Sequence, residues 1–289
     1  MFIEVGPAAI MVEAKKHGEP YRFDRAEMEG YVTKVLADIG EYLPILKQRA
    51  CKIRKTEHLP HVARSMVDAV KRVDETALTP MAAVAGAVAD SVKTFISARE
   101  IDFASVNNGG DVSVLSRDGR PVRVGIGDIN RNVVTAYRLV VEGLVSFGMA
   151  TSGFGGRSFT LGVADAATVV ADSGAAADAA ATYIGNAINV ESWLVARRKA
   201  AEIDPDTDIP DEMVTVRVGK LDGELIREAL SHGLMAARKL KEAGIIRDAV
   251  LILRDKMVTT INGGGNVQLE VLDGDQKDCD GGRRHVGGW

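Results

Sequence analysis

Two stretches of this chain carry almost no side-chain bulk and almost no charge, and they restrict the fold more than any other feature. Thr79-Pro80 reads as an N-cap followed by proline at the first helical position, and the run it opens, Met81 to Ser97, is nearly all small and apolar. A second helix, rich in alanine, is predicted from about Ser173 to Ile188. Helices of this composition have no polar face to offer water, so each must be packed closely on several sides. The expectation is a central pair of helices with the rest of the chain in layers around it.

Those layers are legible from periodicity. Met28, Tyr31, Val32, Val35, Leu36, Ile39 and Leu43 recur at helical spacing between Arg25 and Ala50, with Asp24 as N-cap and Pro44 ending or bending the helix. Val62, Met66, Ala69, Val70 and Val73 mark a further helix over Pro60 to Val73. Short strands are expected at Ala8–Val12 and Tyr21–Phe23. Three more, at Phe103–Val106, Val112–Leu115 and Val122–Gly125, are separated by polar glycine turns and read as an antiparallel meander. Val133–Gly143, Gly148–Ser152 and Ala166–Ala171 add β segments. After an Asp/Pro-rich loop, Asp204 to Asp211, come a strand (Met213–Val218), a helix (Gly223–Ala243) and a strand (Ala249–Leu253). The fold class expected is α+β: a mixed, largely antiparallel sheet with central Ala-rich helices and a C-terminal βαβ extension. The core is assigned to residues 1–200 and the extension, packed on the same domain, to 201–272, with a flexible Gly/Asp/Arg-rich tail at 273–289.

Composition removes several function classes. With 46% hydrophobic and 26% charged residues the chain is globular rather than disordered. Lys plus Arg is 36 against Asp plus Glu 40, with the signs interleaved, so no nucleic-acid footprint is indicated. Apolar runs such as Met81–Ala89 fall well short of the ~20 residues that cross a bilayer. Glu4 precedes the first apolar run, and Lys15 and Lys16 follow it, the wrong order for a secretory signal, so a cytoplasmic protein is expected. The two cysteines, Cys51 and Cys279, supply neither a disulfide framework nor the four thiolates of an iron–sulfur or structural zinc site.

Three glycine-rich turns suit both an ordinary tight turn and a cradle of backbone N–H groups for an anion: Asn107–Asp111, Thr151–Gly156 and Asn262–Asn266. Asp178 and Thr182, four residues apart, share one helix face, where they can join in binding a hard cation such as Mg²⁺ or simply face solvent. His58 and His61 sit near a helix start with no Cys or carboxylate cluster at ligand spacing beside them. Arg157 has the planar fork that clamps a phosphate or carboxylate.

Taken in order, Thr79-Pro80-Met81-Ala82-Ala83-Val84-Ala85-Gly86-Ala87-Val88-Ala89-Asp90, Val106-Asn107-Asn108-Gly109-Gly110-Asp111, Ala150-Thr151-Ser152-Gly153 and Ala177-Asp178-Ala179-Ala180-Ala181-Thr182 resemble the motifs of the ApbE superfamily, flavin transferases and relatives that bind FAD with Mg²⁺. The likeness is nearest to the branch with a Pro-Met-Ala-Ala-Val-Ala-Gly signature and an Asn-Gly-Gly-Asp turn, related to the ApbE-like part of 6-hydroxynicotinate reductase. It covers about residues 76–190, with a looser echo over Arg25–Val73. The resemblance implies that Asp178 and Thr182 ligate Mg²⁺ with a backbone carbonyl from Ala82–Ala85, that Asn108, Gly109, Gly110 and Asp111 line the flavin nucleotide, and that Thr151, Ser152 and Gly153 lie beside its phosphates.

The departures are as informative. Between the Thr-Ser-Gly turn and the Mg²⁺ helix, transferases carry a histidine taken to be the catalytic base, whereas this chain reads Gly156-Arg157-Ser158-Phe159-Thr160-Leu161-Gly162-Val163-Ala164-Asp165. Relatives in the closer branch often place a histidine where Arg157 stands. The transferases' lysine is also missing, with Gly86 directly after Ala85. Base assistance would fall to Asp111 or Asp165, and Arg157 would act on a phosphate. Three readings follow: Mg²⁺-dependent transfer or pyrophosphate cleavage of FAD or FMN, with a flavin-acceptor protein as partner; the flavin-linked part of an N-heteroaromatic reductase fed by a separate electron-transfer protein; and a non-catalytic ligand-binding relative. Phe154 and Phe159 are the nearest candidates to stack on a flavin ring, and a homo-oligomer is compatible with all three.

Overall fold

A computed structural model describes residues 1–128 and 133–272, so the tail at 273–289, with Cys279 and His285, lies outside the described residues. In chain order the elements are β1 (Phe2–Val5), β2 (Ala8–Lys16), β3 (Glu19–Pro20), α1 (Arg25–Glu41), α2 (Leu43–Leu46), a 3₁₀ turn at Ala50–Lys52, α3 (His61–Asp74), a second 3₁₀ turn at Pro80–Ala83, α4 (Val84–Ser97), β4 (Phe103–Asn108), β5 (Asp111–Ser116), β6 (Val122–Asp128), β7 (Val133–Val141), β8 (Ser146–Ser152), β9 (Ala166–Ala171), α5 (Gly174–Ala187), β10 (Val195–Lys199), a 3₁₀ turn at Ala200–Glu202, β11 (Met213–Val218), α6 (Gly223–Glu242), β12 (Asp248–Leu253), β13 (Lys256–Thr259) and β14 (Val267–Val271).

The main sheet has the order β1-β2-β4-β5-β8-β9-β12-β13, with β3 on β2 and every pairing antiparallel. Because side chains alternate along a strand, the buried strands feed two cores. Ala167, Val169 and Ala171 of β9, with Ala249, Leu251 and Leu253 of β12, face the helices. Ala166 and Val170, with Val250 and Ile252, face a small sheet of order β14-β7-β6 through Ile126, Leu139, Val141 and Val267. The α+β class and the antiparallel character match expectation.

The two small-residue helices sit where their composition demands. α5 packs against α3, α4, α6, β8 and β9, and nine of its residues, from Gly174 to Gly185, are buried. Across the α4–α5 contact, a Cβ on Gly86 would lie 2.1 Å from the Gly174 carbonyl oxygen, and one on Gly174 would lie 2.7 Å from that of Gly86. Only hydrogen fits on either backbone, so the helices touch main chain to main chain. β8 reaches the same point, since a Cβ on Gly148 would meet the Ser173 carbonyl carbon at 2.1 Å.

Several local expectations are corrected. The meander breaks after β5, whose next partner is β8, while β6 crosses to the small sheet and packs Val122 and Val124 on the outer core. Tyr21–Phe23 form no strand; Tyr21 and Phe23 stack edge to face and Arg99 lies over Phe23. The first helix stops at Glu41 and restarts as α2 with Pro44 in its first turn. Thr79 precedes Pro80 as expected, but the hydroxyl of this buried residue goes to Asp208 of the Asp/Pro-rich loop instead of capping the turn. Asp24 does cap α1, accepting from the Glu27 N–H at 2.8 Å. The strands flanking α6 enter different sheets, β11 pairing with β10 and β12 joining β9.

Gly86→Ala should cost more than the ~1–3 kcal/mol of ordinary overpacking, because backbone rather than a side chain must move. Gly30→Ala, on the exposed face of α1 with nothing within 4 Å of the new carbon, should add about 0.5–1 kcal/mol. Thermal unfolding of the two variants beside the parent chain checks both signs.

Candidate functional site

The glycine crossing places a carboxylate at the start of each helix. Asp178, in the second turn of α5, accepts from the backbone N–H of Gly86 at 3.0 Å and from that of Ala85, so it caps α4, whose own N-cap residue, Ala83, has no polar side chain. Asp90 of α4 does the same for α5, accepting from Gly174 and Ala175 at 2.9 Å each. It also takes the Ser113 hydroxyl and lies 3.6 Å from the Lys93 ammonium. Gly86-Ala87-Val88-Ala89-Asp90 on one helix answers Gly174-Ala175-Ala176-Ala177-Asp178 on the other. This reciprocal cap was not read from the sequence, although the repeated Gly-Ala-x-Ala-Asp was a visible signal for it.

Beneath α4 lies the β4–β5 hairpin. Its turn needs φ +65° at Gly109 and +112° at Gly110, which glycine adopts without strain. Asn107 Oδ1 accepts from the Gly110 N–H at 2.8 Å, and Asn108 and Asp111 are cross-strand partners. Asn108 is 4% exposed, and its Nδ2 donates to the Ala85 carbonyl at 3.2 Å. Its Oδ1 is buried without a hydrogen-bond partner. The end of β8 runs alongside: the Thr151 N–H reaches the Asp111 carboxylate, Thr151 Oγ1 lies 2.9 Å from that of Thr168, and Ser152 faces Gly185 of α5. A Cβ on Gly153 would crowd the Ala164 carbonyl oxygen at 2.9 Å. From the following loop, the exposed Arg157 lays its guanidinium across Gly109, where a Cβ would be 1.6 Å from Nη2, with its charge acting on Asp111.

Burial dominates the electrostatics. It pushes the Asp178 carboxyl up to about 7, helped by the negative field of Asp90 and opposed by the Gly86 and Ala85 N–H donors. Asp111 is held well above the usual carboxylate range, first by burial and then by the charge of Asp178, with Arg157 and the Thr151 N–H pulling the other way. Thr182 is one turn beyond Asp178 on α5 and half-buried. Among the described residues no group of three His, Cys, Asp or Glu side chains is placed to hold a metal ion. A cation here would be held by few carboxylates and completed by hydroxyl, carbonyl, water or ligand oxygens, which suits Mg²⁺.

Ala85 and Gly86, Asn108 to Asp111, Thr151, Arg157 and Asp178 thus meet at one place. Other candidates do not join. The glycine turn Asn262–Asn266 lies against the small sheet, with the Asn266 carboxamide donating to the Glu142 carbonyl at 2.9 Å. His58 and His61 are exposed at the start of α3. Asp165, considered as a substitute base, is 1% exposed and paired with Arg254 at 3.0 Å across the β9–β12 edge. Phe154 and Phe159 are half-buried in the loop that carries Arg157.

A family model described as AbpE bacteria matches residues 1–268. The UPF0280 protein of Methanopyrus kandleri is 32% identical over 199 residues, 68% of this chain and 75% of that protein. The UPF0280 protein of Methanosarcina barkeri is 34% identical over 183 residues, 62% of this chain and 65% of that one, so the match spans slightly under two thirds of the latter's length. The solved flavin transferase ApbE from Vibrio cholerae aligns over 88% of this chain and 97% of its own, with a TM-score of 0.46 and 13% identity.

The Asp178 shift has a definite sign in stability. Below about pH 4 folded and unfolded chains both hold the proton; between there and about pH 7 the unfolded chain ionises first, so the fold loses stability as pH rises. In buffer with a chelator, Asp178→Asn should therefore melt increasingly above the parent from pH 5 to pH 8, and the difference should vanish near pH 4.

Proposed function

We propose that this chain, which belongs to the family described as AbpE bacteria and is similar to the UPF0280 proteins, is a flavin-nucleotide-binding protein that uses Mg²⁺. The observation that carries the reading is the convergence of Asp111, Asp178, Arg157 and two glycine turns at the glycine crossing of α4 and α5. Four short motifs, far apart in sequence, bring carboxylates, a guanidinium and open backbone together. A pyrophosphate needs that combination, since its charge must be met by cations and N–H donors rather than by apolar surface.

The side chains present fit a hard cation. Asp178 and Thr182 offer oxygen from one helix face, and Asp111 offers a second carboxylate. When bound, Mg²⁺ would offset phosphate charge and act as a Lewis acid. The chain's own groups then divide the work. Arg157 meets a phosphate bidentately, Thr151, Ser152 and Gly153 line the approach, and Gly109 and Gly110 let the ligand come close to main chain. Once the positive charge of Arg157 and of a bound cation has displaced the proton that burial retains, Asp111 is a stronger base than an ordinary carboxylate and would take the proton of an attacking hydroxyl or water. Cleavage of FAD by such an attack breaks a pyrophosphate P–O bond, releases AMP and leaves FMN on the attacking oxygen.

Titration of the flavin-free protein with FAD, followed by flavin fluorescence with and without Mg²⁺, tests the reading. Saturable binding that needs Mg²⁺, falls at least tenfold in Asp178→Ala and weakens in Arg157→Ala is expected. Absence of FAD and FMN binding under all conditions overturns it. AMP release that disappears in Asp111→Asn identifies transfer or cleavage; tight binding without AMP identifies a binding or redox role.

A further inference from the structure

We propose that Asn108 and Asp111 complete, with Asp178, an oxygen-only site for one divalent cation that this chain forms by itself, before any nucleotide arrives. This rests on the reading of Asp178 as a cation ligand and extends it to two residues of the β4–β5 hairpin.

The placement follows from the sheet. Asn108 and Asp111 pair directly across the Gly109-Gly110 turn, so their side chains leave the hairpin on the same face. That face is the one covered by helices, because Ala104 and Val106, at alternate positions before Asn108 on β4, belong to the helix-side core. Asp178 comes down on it from α5, near enough to Asp111 for the two charges to act on each other. One strand pair and one central helix thus aim three oxygen-bearing side chains at a common space.

The unpartnered atom distinguishes this from a mere cluster of acidic residues. The Asn108 Nδ2 is committed to the Ala85 carbonyl, which settles which way the amide is turned and leaves Oδ1 as a buried acceptor with nothing to accept from. Buried acceptors in folded proteins are nearly always satisfied by protein, water or an ion. Two facing carboxylates beside such an atom make a donor set of hard oxygens, which selects Mg²⁺, Mn²⁺ or Ca²⁺ over zinc or copper. The Arg157 guanidinium, resting over Gly109 and acting on Asp111, is then a counter-charge that a bound cation replaces, freeing Arg157 to meet a phosphate.

Mn²⁺ is the probe, with free ion counted by electron paramagnetic resonance in nucleotide-free, full-length protein, and Mg²⁺ binding measured by calorimetry. One site per chain is expected. Asp111→Asn and Asp178→Asn should each weaken it at least tenfold, and Asn108→Leu several-fold, with circular dichroism confirming that each variant is folded. Should Asn108→Leu not fold, Asp111→Asn alone decides. Parental Mn²⁺ affinity in Asp111→Asn overturns the proposal, and so does binding that appears only when FAD is added; the latter leaves the flavin reading intact. A one-site Mn²⁺ titration with these variant effects in a protein that binds no flavin supports the site and overturns the flavin reading instead.

Discussion

Everything in this molecule hangs on two helices whose backbones touch. At Gly86 and Gly174 neither helix has a side chain to hold the other off, and at that distance each helix start falls within reach of a carboxylate on its neighbour. A helix N-terminus buried without acceptors leaves N–H groups unpaired, and a buried carboxylate without donors is costlier still. The reciprocal arrangement of Asp90 and Asp178 settles both debts at once. It also fixes the sliding register of α4 against α5, because a shift of one residue breaks all four hydrogen bonds.

The two caps are equivalent in geometry and unequal in surroundings. Asp90 has the Ser113 hydroxyl and the Lys93 ammonium as further partners. Asp178 has the backbone donors and then faces Asp111 and the end of the β4–β5 hairpin. Both copies of the motif cap the partner helix, and only the second also faces the hairpin. Burial is the first cause of the raised Asp178 and Asp111 carboxyls; the charge of Asp90 adds to it at Asp178 and that of Asp178 adds to it at Asp111, where Arg157 opposes it.

What local pattern reveals and what it hides divide along a physical line. α3 and α5 were legible within a residue or two because burial on one face, or on all faces, is written into the order of apolar and small residues over a few turns. β9 was legible for the same reason. β1, β3, β10, β13 and β14 went unread because they are short, and β14 draws its pairing from distant β7, Val267 lying across from Val141. The departure of β6 from the meander was equally invisible, since its alternation serves either sheet.

For the site, residue types, spacing and order determined the inventory: glycine where main chain must approach, a carboxylate and a hydroxyl one turn apart, an arginine where relatives place histidine. These are properties of short segments, and short segments keep them in any context. Only the tertiary structure decided that the turn at Asn262–Asn266 packs against the small sheet, that Asp165 is paired with Arg254, that Asp90 is a cap, and that Asn108 keeps a buried oxygen without a hydrogen-bond partner. Each of those is a matter of which groups are left facing one another after the chain has closed, and that depends on contacts between residues tens to more than a hundred positions apart.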